Sequence, residues 1–378
     1  MITTVKTLIT FLMITLATHV GYPQALIDKK ATKETKALFV NLVKISQKGI
    51  LFGHQESEAY GVGWKELPGT SDIKLVSGSF AAVHGWDVGN EGQETNVDGV
   101  KFSDMLKWMD EAYKRGGVNT ISWHADNPVT GVDAWNKTPV VKDLLPGAAG
   151  HAAYVRQLGY VADFLAKSKG PIIFRPFHEH NGDWFWWGKG NCTEEEYIQL
   201  WRFTVDYLKN TRNLHHLIYA FSPDRSRINL NDGKKDYLYG YPGDDYVDVI
   251  GLDNYMDVGV AWNTKSVDEQ RADLVTVLKL VSSIAKEKNK MAALTETGME
   301  GIKNATWFTE VILNPIKSNS DIQLAYFMVW RNANTTHHYA PYPGHSAVPD
   351  FLKFYNDPYS LFEVDIQNLY KNDKPLLK

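Results

Sequence analysis

The 378-residue sequence contains a single cysteine, Cys192, and this excludes an internal disulfide bond. It also has no strongly basic stretch, since 40 lysines and arginines stand against 44 aspartates and glutamates, for a net charge of -4. A nucleic-acid partner is therefore not indicated, and a ligand that carries little charge is favoured. No proline- or serine-rich linker divides the chain, which favours one large domain over two medium ones.

The sequence also lacks an apolar segment at its N-terminus that is long enough to span a bilayer. The apolar run from Leu8 to Ala17 is too short for that, but Lys6 precedes it and small residues follow it. This pattern is typical of a secretory signal, so we predict a signal peptide over residues 1–25 and one folded domain over residues 26–378. We expect export to the periplasm or beyond the cell and, without a cysteine near the cleavage point, no membrane anchor.

Aromatic residues, in contrast, are abundant: the chain has 12 tryptophans, 19 tyrosines and 16 phenylalanines. Many of these rings are needed to build the core of a large domain. The flat faces of tryptophan side chains are also suited to gripping the apolar faces of sugars or bases. The composition therefore favours a cleft for a ring-shaped, weakly charged ligand.

Eight short apolar runs alternate with helical patterns along the chain. The runs cover residues 50–53, 79–85, 119–124, 171–179, 216–223, 247–252, 291–296 and 323–330, and the helical patterns cover 103–117, 152–170, 194–211, 268–289 and 305–319. Continuous apolar runs are typical of parallel strands that are covered on both faces. Because there are eight of them, and no G-x-G-x-x-G follows a strand, we predict an α/β fold, a (β/α)8 TIM barrel, rather than an open doubly wound sheet.

Polar and aromatic residues gather at the C-terminal ends of these predicted strands. In chain order they are His54, Gln55, His84, Trp86, Asp87, Trp123, His124, Asp126, Arg175, His178, Glu179, Ser222, Asp224, Arg225, Asp253, Tyr255, Glu296, Trp330 and Arg331. Sites in this type of barrel are built at the C-terminal ends of the strands. We therefore predict that these side chains converge on one open face of the barrel.

A metal centre is one chemistry that such a face could hold. His178 and His180, together with His84 and His124, could offer imidazole ligands. However, the turn-forming Asn-Gly pair at 181–182 predicts that the strand ends before His180, so the two neighbouring imidazoles would not point the same way. We therefore expect no metal.

Two further classes are a hydrolase with a serine or cysteine nucleophile and a barrel that binds sugars without cleaving them. The G-x-S-x-G elbow of serine hydrolases is absent, and Cys192 lies at the polar start of a helix. A binding barrel would be expected to have lost its catalytic acids. Two candidate acids remain in this sequence, so the binding barrel is kept only as the alternative.

The two acids are Glu179, at the end of the fourth predicted strand, and Glu296, at the end of the seventh. A retaining glycosidase needs two carboxyl groups about 5–5.5 Å apart, a distance that long side chains can reach across a barrel mouth. The apolar surroundings of Glu179 predict a raised pKa and a protonated acid. Three groups that could keep Glu296 ionised are Arg175, Tyr255 and Arg331. One acid and one anion are what glycosidic cleavage requires.

Six motifs carry a resemblance to a known family. They are "FGHQE" (52–56), "SWHADNP" (122–128), "FRPFHEHNGDWFWWG" (174–188), "VIGLDNY" (249–255), "LTETG" (294–298) and "FMVWRN" (327–332). In this order they resemble glycoside hydrolase family 26. The resemblance implies a β-1,4-mannanase that acts on mannan, galactomannan and manno-oligosaccharides without a cofactor, as a monomeric catalytic module. Insertions at 54–78, 86–102 and 124–150 could close one end of the cleft and favour release of short products such as mannobiose. β-1,3-1,4-Glucanase and β-1,3-xylanase activities remain alternatives.

The resemblance also implies roles for individual positions. Glu179 is expected to be the general acid/base and Glu296 the nucleophile, with Tyr255 donating a hydrogen bond to that nucleophile. His178 is expected to bind either the 2-hydroxyl of the cleaved sugar or the nucleophile itself. The substrate-binding residues expected in total, counting Asp253 at the end of the sixth strand, are His124, Trp135, His178, Trp184, Asp253, Tyr255, Trp330 and Arg331. Among them Trp184 would stack on the leaving-group side, Trp330 under the cleaved sugar, and Arg331 one subsite further out.

Overall fold

Eight parallel strands close into a barrel in the computed structural model, which describes residues 26–378; the predicted signal peptide lies outside the described residues. The strands are β1 (Ile50–Gln55), β2 (Val83–Asp87), β3 (Val118–Trp123), β4 (Ile172–Pro176), β5 (Leu217–Phe221), β6 (Val249–Asn254), β7 (Met291–Thr297) and β8 (Tyr326–Val329). Each strand pairs with the next in chain order, and β8 pairs with β1 to close the ring. The prediction of a (β/α)8 barrel is confirmed.

Helices surround this ring and connect its strands. They are α1 (Lys33–Ser46), α2 (Asp72–Ser77), α3 (Phe102–Arg115), α4 (Val141–Leu144), α5 (His151–Leu165), α6 (Glu194–Asp206), α7 (Gly233–Tyr237), α8 (Val267–Lys288), α9 (Asn314–Lys317) and α10 (Val348–Asn356). The start of α6 at Thr193 and the start of α8 at Ser266 are both fixed by capping boxes. Within residues 26–378, no helix combines the length and the apolar composition needed to cross a membrane.

Side-chain alternation along β4 divides the apolar residues between two cores. Ile172 and Phe174 pack outward in the layer between strands and helices, whereas Ile173 packs in the barrel interior. Because side chains on a strand alternate with a period of two, Arg175 continues the inward row of Ile173. The strand thus places the Arg175 guanidinium at the top of the barrel interior, where the C-terminal ends of the strands meet.

A bulge in β7 changes which of its side chains face the barrel mouth. Leu252 in β6 pairs with Leu294, but the next residue, Asp253, pairs with Glu296, so Thr295 is an extra residue on β7. The pairing of β7 with β8 shifts at the same place. Ala293 packs in the barrel interior, and strict alternation would send Glu296 to the opposite face. The bulge therefore re-aims Glu296 toward the mouth, a common use of bulges beside active sites.

A segment near the C-terminal end of the sequence covers the seam where the barrel closes. Ser360–Leu361 pairs with β1 on the outside of the ring. Just beyond it, Glu363 contacts His84 of β2 at 3.0 Å and Arg115 at 2.7 Å. The hydroxyl of Tyr370 donates to the carbonyl of Gly117 at 2.6 Å. The segment therefore ties β1, β2 and the start of β3 together.

A cluster of phenylalanines packs against the outer side of β1. Phe52 is buried, and its ring contacts five others, those of Phe308, Phe327, Phe351, Phe354 and Phe362, at centroid distances of 5.1–6.2 Å. These rings come from β8, from α10 and from the segments on either side of it. One side chain of β1 thus joins elements that lie far apart in the sequence.

We predict that Phe52→Ala lowers the free energy of unfolding by about 3–5 kcal/mol, because a large cavity would be left between rings that cannot close over it. Urea denaturation checks this. The exposed Leu67 offers a control, since Leu67→Ala should change stability by no more than about 0.5 kcal/mol. Equal midpoints for Phe52→Ala and the parent protein would contradict the assigned packing.

Candidate active site

Arg175 is the buried cation on which the site is built. Its side chain is 1% exposed, and its Nη1 donates to Asp253 Oδ2 at 2.7 Å and to Ser222 Oγ at 3.2 Å. Its Nη2 donates to Glu296 Oε1. Burial alone would lower the pKa of the guanidinium, but the Asp253 and Glu296 carboxylates outweigh it and raise that pKa. One cation therefore holds the ends of β4, β6 and β7 in a fixed relation.

Glu296 receives a hydrogen bond on each of its carboxylate oxygens. Arg175 donates to Oε1, and the hydroxyl of Tyr255 donates to Oε2 at 3.1 Å. One donor on each oxygen fixes the orientation of this carboxylate. Carboxylate oxygens of Glu296, Glu179 and Asp253 lie within 4.8 Å of one another. Glu296 is thus a positioned carboxylate with a second carboxyl group in reach.

Glu179 lies beyond the end of its strand rather than within it. The prediction that the fourth strand runs to residue 179 is wrong, because β4 ends at Pro176. Phe177 and Glu179 have φ angles of 47° and 54°, in the left-handed region that side chains other than glycine seldom adopt. The backbone N–H of Glu179 donates to the carbonyl of Ser222 at 2.8 Å, which anchors this turn to β5. Strained residues of this kind cluster at functional sites.

The surroundings of Glu179 favour its protonated form. Burial is the main cause that raises the pKa of this carboxyl group well above its ordinary value, and the nearby charges of Asp224, Asp253 and Glu296 add to it. The indole N–H of Trp184 donates to Glu179 Oε2 at 2.7 Å and works in the opposite direction, lowering the pKa. The net result is a neutral acid that can donate a proton.

The turn after Glu179 depends on a glycine. A Cβ added at Gly182 would lie 2.2 Å from the indole ring of Trp184, so only glycine lets this ring fold back toward the acid. The φ angle of Gly182 is not in the positive range, and the requirement is close approach rather than backbone conformation. Trp184 remains half-buried at the cleft, while the side chains that follow it, Phe185, Trp186 and Trp187, are buried.

His178 is buried beside the acid and is neutral. Burial, followed by the charges of Arg175 and His124, lowers the pKa of this imidazole well below its ordinary value. Its ring meets the ring of His124 edge-on at 4.6 Å. Its Nδ1 has no hydrogen-bond partner within residues 26–378, and it makes no hydrogen bond to Glu296 there. Of the two roles expected for His178, contact with the nucleophile is therefore not the one found.

His124 forms the flank of the site after β3. Its Nδ1 lies 2.7 Å from Asp87 Oδ2. Burial lowers the pKa of His124, but the Asp87 carboxylate outweighs it and raises that pKa. Trp135, which is 52% exposed, stacks over the imidazole at a centroid distance of 5.3 Å, and Trp330 meets it at 6.1 Å. The three predicted binding residues therefore share one wall.

Arg331 follows β8 and lies in an acidic cluster that was not predicted. Its Nη2 lies 3.0 Å from Asp98 Oδ1, and its Nη1 lies 3.5 Å from the hydroxyl of Tyr60. Behind them, burial and the Asp98 charge raise the pKa of Glu56 to about 8. Glu56 belongs to the "FGHQE" motif, which was the available signal; Asp98 lies in an insertion with no pattern.

Of the four histidines considered as metal ligands, His124 and His178 lie together, but His180 and His84 lie elsewhere. His180 stacks on Tyr197 at 4.3 Å, and its Nε2 lies 2.6 Å from the carbonyl of Tyr239, so it faces away from His178. His84 contacts Glu58 and Glu363, both at 3.0 Å. The groups that come closest are instead the carboxylates of Glu179, Asp253 and Glu296, and Arg175 is the cation that neutralises two of them.

A carboxylate pair within 4.8 Å, with one acid protonated and the other held by two hydrogen-bond donors, at the C-terminal mouth of a (β/α)8 barrel defines a glycoside hydrolase. The model of one family, Glycosyl hydrolase family 26, matches residues 27–363. The chain belongs to glycosyl hydrolase family 26, and the resemblance seen in its motifs is confirmed.

Known relatives agree with this. A mannan endo-1,4-β-mannosidase of Bifidobacterium adolescentis is 32% identical over 359 residues, which cover 86% of this chain but only 34% of that protein. The chain thus spans about a third of the length of that relative. A mannan endo-1,4-β-mannosidase of Bacillus subtilis is 30% identical over 69% of this chain and 68% of its own length. A solved family 26 β-mannanase from Bacteroides ovatus superposes with a TM-score of 0.83 and 39% identity, covering 90% of this chain and 98% of that structure.

We predict that Trp184→Phe raises the pKa of Glu179, because it removes the indole hydrogen bond that lowers it. A general acid works only when protonated, so if Glu179 has the role expected from the sequence, the alkaline limb of the pH profile of kcat/KM moves to higher pH. Trp135→Phe is the matched control, since Trp135 lines the cleft without contacting Glu179. A limb that stays in place or moves to lower pH would contradict this assignment.

Proposed function

We propose that this chain hydrolyses β-1,4-mannosidic bonds within mannan, galactomannan and manno-oligosaccharides, with retention of configuration. The carboxylate separation carries the proposal. Oxygens of Glu179 and Glu296 lie within 4.8 Å, close to the ~5–5.5 Å of retaining enzymes and well below the ~6.5–9.5 Å that inverting enzymes need for a water molecule. The names of the relatives from Bifidobacterium and Bacillus support mannan as the substrate.

In the proposed first step Glu296 attacks the anomeric carbon while Glu179 gives its proton to the departing glycosidic oxygen. The aglycone leaves, and a mannosyl ester forms on Glu296. The negative charge of Glu296 disappears in this ester. Since that charge is one of the causes that raise the pKa of Glu179, the pKa of Glu179 then falls. Glu179 can therefore act as the base that removes a proton from water in the second step.

In the second step the two glutamates exchange the roles they had in the first: Glu179 now accepts a proton, and Glu296 is the leaving group. The water activated by Glu179 attacks the anomeric carbon, the ester bond to Glu296 breaks, and the sugar leaves with its original configuration. Arg175 and Tyr255 receive the carboxylate again in its anionic form. These steps use side chains of this chain alone and call for no cofactor.

His178 is proposed to recognise the axial 2-hydroxyl of mannose. It is buried beside the acid and neutral, and a neutral imidazole offers one hydrogen-bond donor and one acceptor. When the sugar ring distorts toward the transition state, this hydroxyl moves from its axial position toward an equatorial one. A hydrogen bond that strengthens along this path stabilises the transition state more than the ground state.

The remaining residues are proposed to hold the polysaccharide along the cleft. Trp184 would stack on the leaving-group side, Trp330 under the cleaved sugar, and Arg331 beyond it. Trp135 and His124 would form one flank. The N-terminal pattern over residues 1–25 supports export of the enzyme to the periplasm or outside the cell, where a polysaccharide is met. We expect it to act as a monomer.

We predict that Glu296→Ala lowers kcat on mannohexaose by at least about 1,000-fold, because no nucleophile remains. Glu179→Ala should lose about 100- to 10,000-fold on the same substrate, but less on an aryl mannoside whose leaving group needs no proton. Added azide should restore turnover of Glu179→Ala on that substrate and give a β-mannosyl azide. Chromatography and NMR of the products check both.

The exposed acid Glu310 supplies the control, and Glu310→Gln should cut at the parent rate. Galactomannan, lichenan and β-1,3-xylan are included as further substrates, and the chain length of the products shows whether mannobiose is released. A preference for lichenan or β-1,3-xylan would show that the substrate is that polysaccharide and not mannan. Retention of all sugars uncleaved, or full activity in Glu296→Ala, would end the hydrolase proposal.

We predict that His178→Ala reduces kcat more strongly than it raises KM, because the contact to the 2-hydroxyl gains strength only in the transition state. Steady-state kinetics on mannohexaose measure both. His180→Ala is the neighbouring control, as that imidazole faces away from the cleft. A rise in KM with an unchanged kcat would assign His178 to ground-state binding.

A further inference from the structure

A cavity of about 540 Å³ adjoins the site on the side of β6 and β7. It is lined by Tyr255, Gly259, Val260, Ala261, Trp262, Gly298, Met299, Glu300, Lys303, Asn304 and Tyr339. Its volume falls within the ~300–1,000 Å³ typical of small-molecule sites. Tyr255 belongs both to this cavity and to the catalytic site, since its hydroxyl donates to Glu296. The cavity is therefore continuous with the place of cleavage.

Trp262 gives this cavity an exposed aromatic face. Its side chain is 62% exposed, more than any other exposed large apolar side chain of the described chain. Most tryptophans here are buried or half-buried, and the other exposed one is Trp135, which lies over His124 in the opposite wall. An indole face left open beside a glycosidase site is suited to stacking on a pyranose ring.

The loop that carries Trp262 is held by buried side-chain amides. Gln270 of α8 is buried, and its Oε1 accepts from the backbone N–H groups of Gly259 at 2.8 Å and Val260 at 3.0 Å. Its Nε2 donates to the carbonyl of Lys265 at 3.0 Å. From within the loop, Asn263 donates to the carbonyl of Met256 at 2.9 Å. The ring is thus presented by a braced loop, which lowers the entropy lost when a ligand binds.

The facing wall is also fixed and brings polar groups. Gly298 has a φ of 139°, and a Cβ there would lie 2.6 Å from the ring of Tyr339, so the glycine allows this ring to lie against the strand end. Glu300 is held by His337, whose Nδ1 lies 2.6 Å from its Oε1. Lys303 and Asn304 complete the rim. A few oriented polar groups beside an aromatic face are what sugar hydroxyls require.

The position of the cavity shows which part of a polysaccharide could reach it. Arg331 follows β8 and Trp184 follows β4, and these strands lie opposite each other in the closed ring, so the main cleft runs between them. Trp262 follows β6 and Glu300 follows β7, on the flank across from Trp135 after β3. A polysaccharide backbone lying along the cleft would run past the mouth of this cavity without entering it. A group attached to that backbone at the point of cleavage would enter the cavity.

We infer that this flank cavity is a subsite for a hexopyranose branch carried by a mannose unit beside the scissile bond, with Trp262 as its stacking platform. The inference rests on the proposed hydrolysis of mannan and galactomannan, and it assigns the branch of galactomannan to a particular subsite. It means that a 6-O-galactosyl group is bound at this place rather than merely tolerated.

Trp262→Ala tests this, since the exposed ring can be removed without disturbing the core. kcat/KM is measured on mannohexaose and on a manno-oligosaccharide with a galactosyl branch. The variant should lose about tenfold on the branched substrate, the size of one modest ligand contact, and less than about twofold on the linear one. Trp262→Phe should restore most of the loss. Val267→Ala is the control, because Val267 is exposed five residues away and does not line the cavity.

Three other outcomes would overturn the inference. Equal losses on both substrates would assign Trp262 to a backbone unit, and no loss on either would leave the cavity without a role in binding. A loss in Val267→Ala as large as that in Trp262→Ala would trace the effect to the loop instead of the ring. If the parent protein cleaves neither substrate, the proposed function fails together with its extension, whereas normal cleavage of the linear substrate separates the two.

Discussion

The contact of Arg175 with Asp253 and Glu296 is the constraint around which the site is organised. All three side chains are buried, and a buried charge is tolerated only when it is paired. Loss of one partner of such a pair costs about 3–5 kcal/mol, because it leaves an uncompensated charge behind. The ends of three strands are therefore held together by a requirement of folding. The carboxylate of Glu296 is held in place by the same requirement.

The same arrangement creates the difference between the two glutamates. Glu296 is surrounded by donors, whereas Glu179 sits among other carboxylates with only the indole N–H of Trp184 to offset them. Three acids within 4.8 Å cannot all ionise easily, and one guanidinium neutralises only part of their charge. Burial raises the pKa of both Glu179 and Asp253; Arg175 counteracts this at Asp253 but does not contact Glu179. The reach of this one cation is what sets Glu179 apart from the other two acids.

Much of this could be predicted from the sequence. Eight apolar runs and the polar residues at their ends predict the barrel and its open face, because burial on both sides leaves a signal in every strand. The apolar pattern does not predict the backbone geometry at the strand ends that carry the two glutamates. Alternation would turn Glu296 outward, and the bulge that re-aims it depends on pairing with β6 and β8. The left-handed turn at Glu179 likewise depends on a contact with β5.

Residues that contribute through long-range contacts were the least predictable. Asp98 contacts Arg331, which lies more than 200 residues further along the sequence, and Trp262 lies in a connecting loop outside the strands and helices. No periodic pattern marks such residues, since neither alternates with neighbours on a strand or a helix. Their positions become visible only when strands far apart in the sequence are brought together in the ring.

The segment around Ser360–Leu361 has a consequence for biosynthesis. It leaves the ribosome after all eight strands of the barrel, yet it pairs with the first strand, and Glu363 beside it reaches His84 in the second. The outer edge of the first strand therefore remains unpaired until every other strand of the barrel has been made. A growing chain of this kind exposes unpaired strand edges for longer than a chain in which each strand pairs only with its sequence neighbours. It therefore has more need of chaperones during folding.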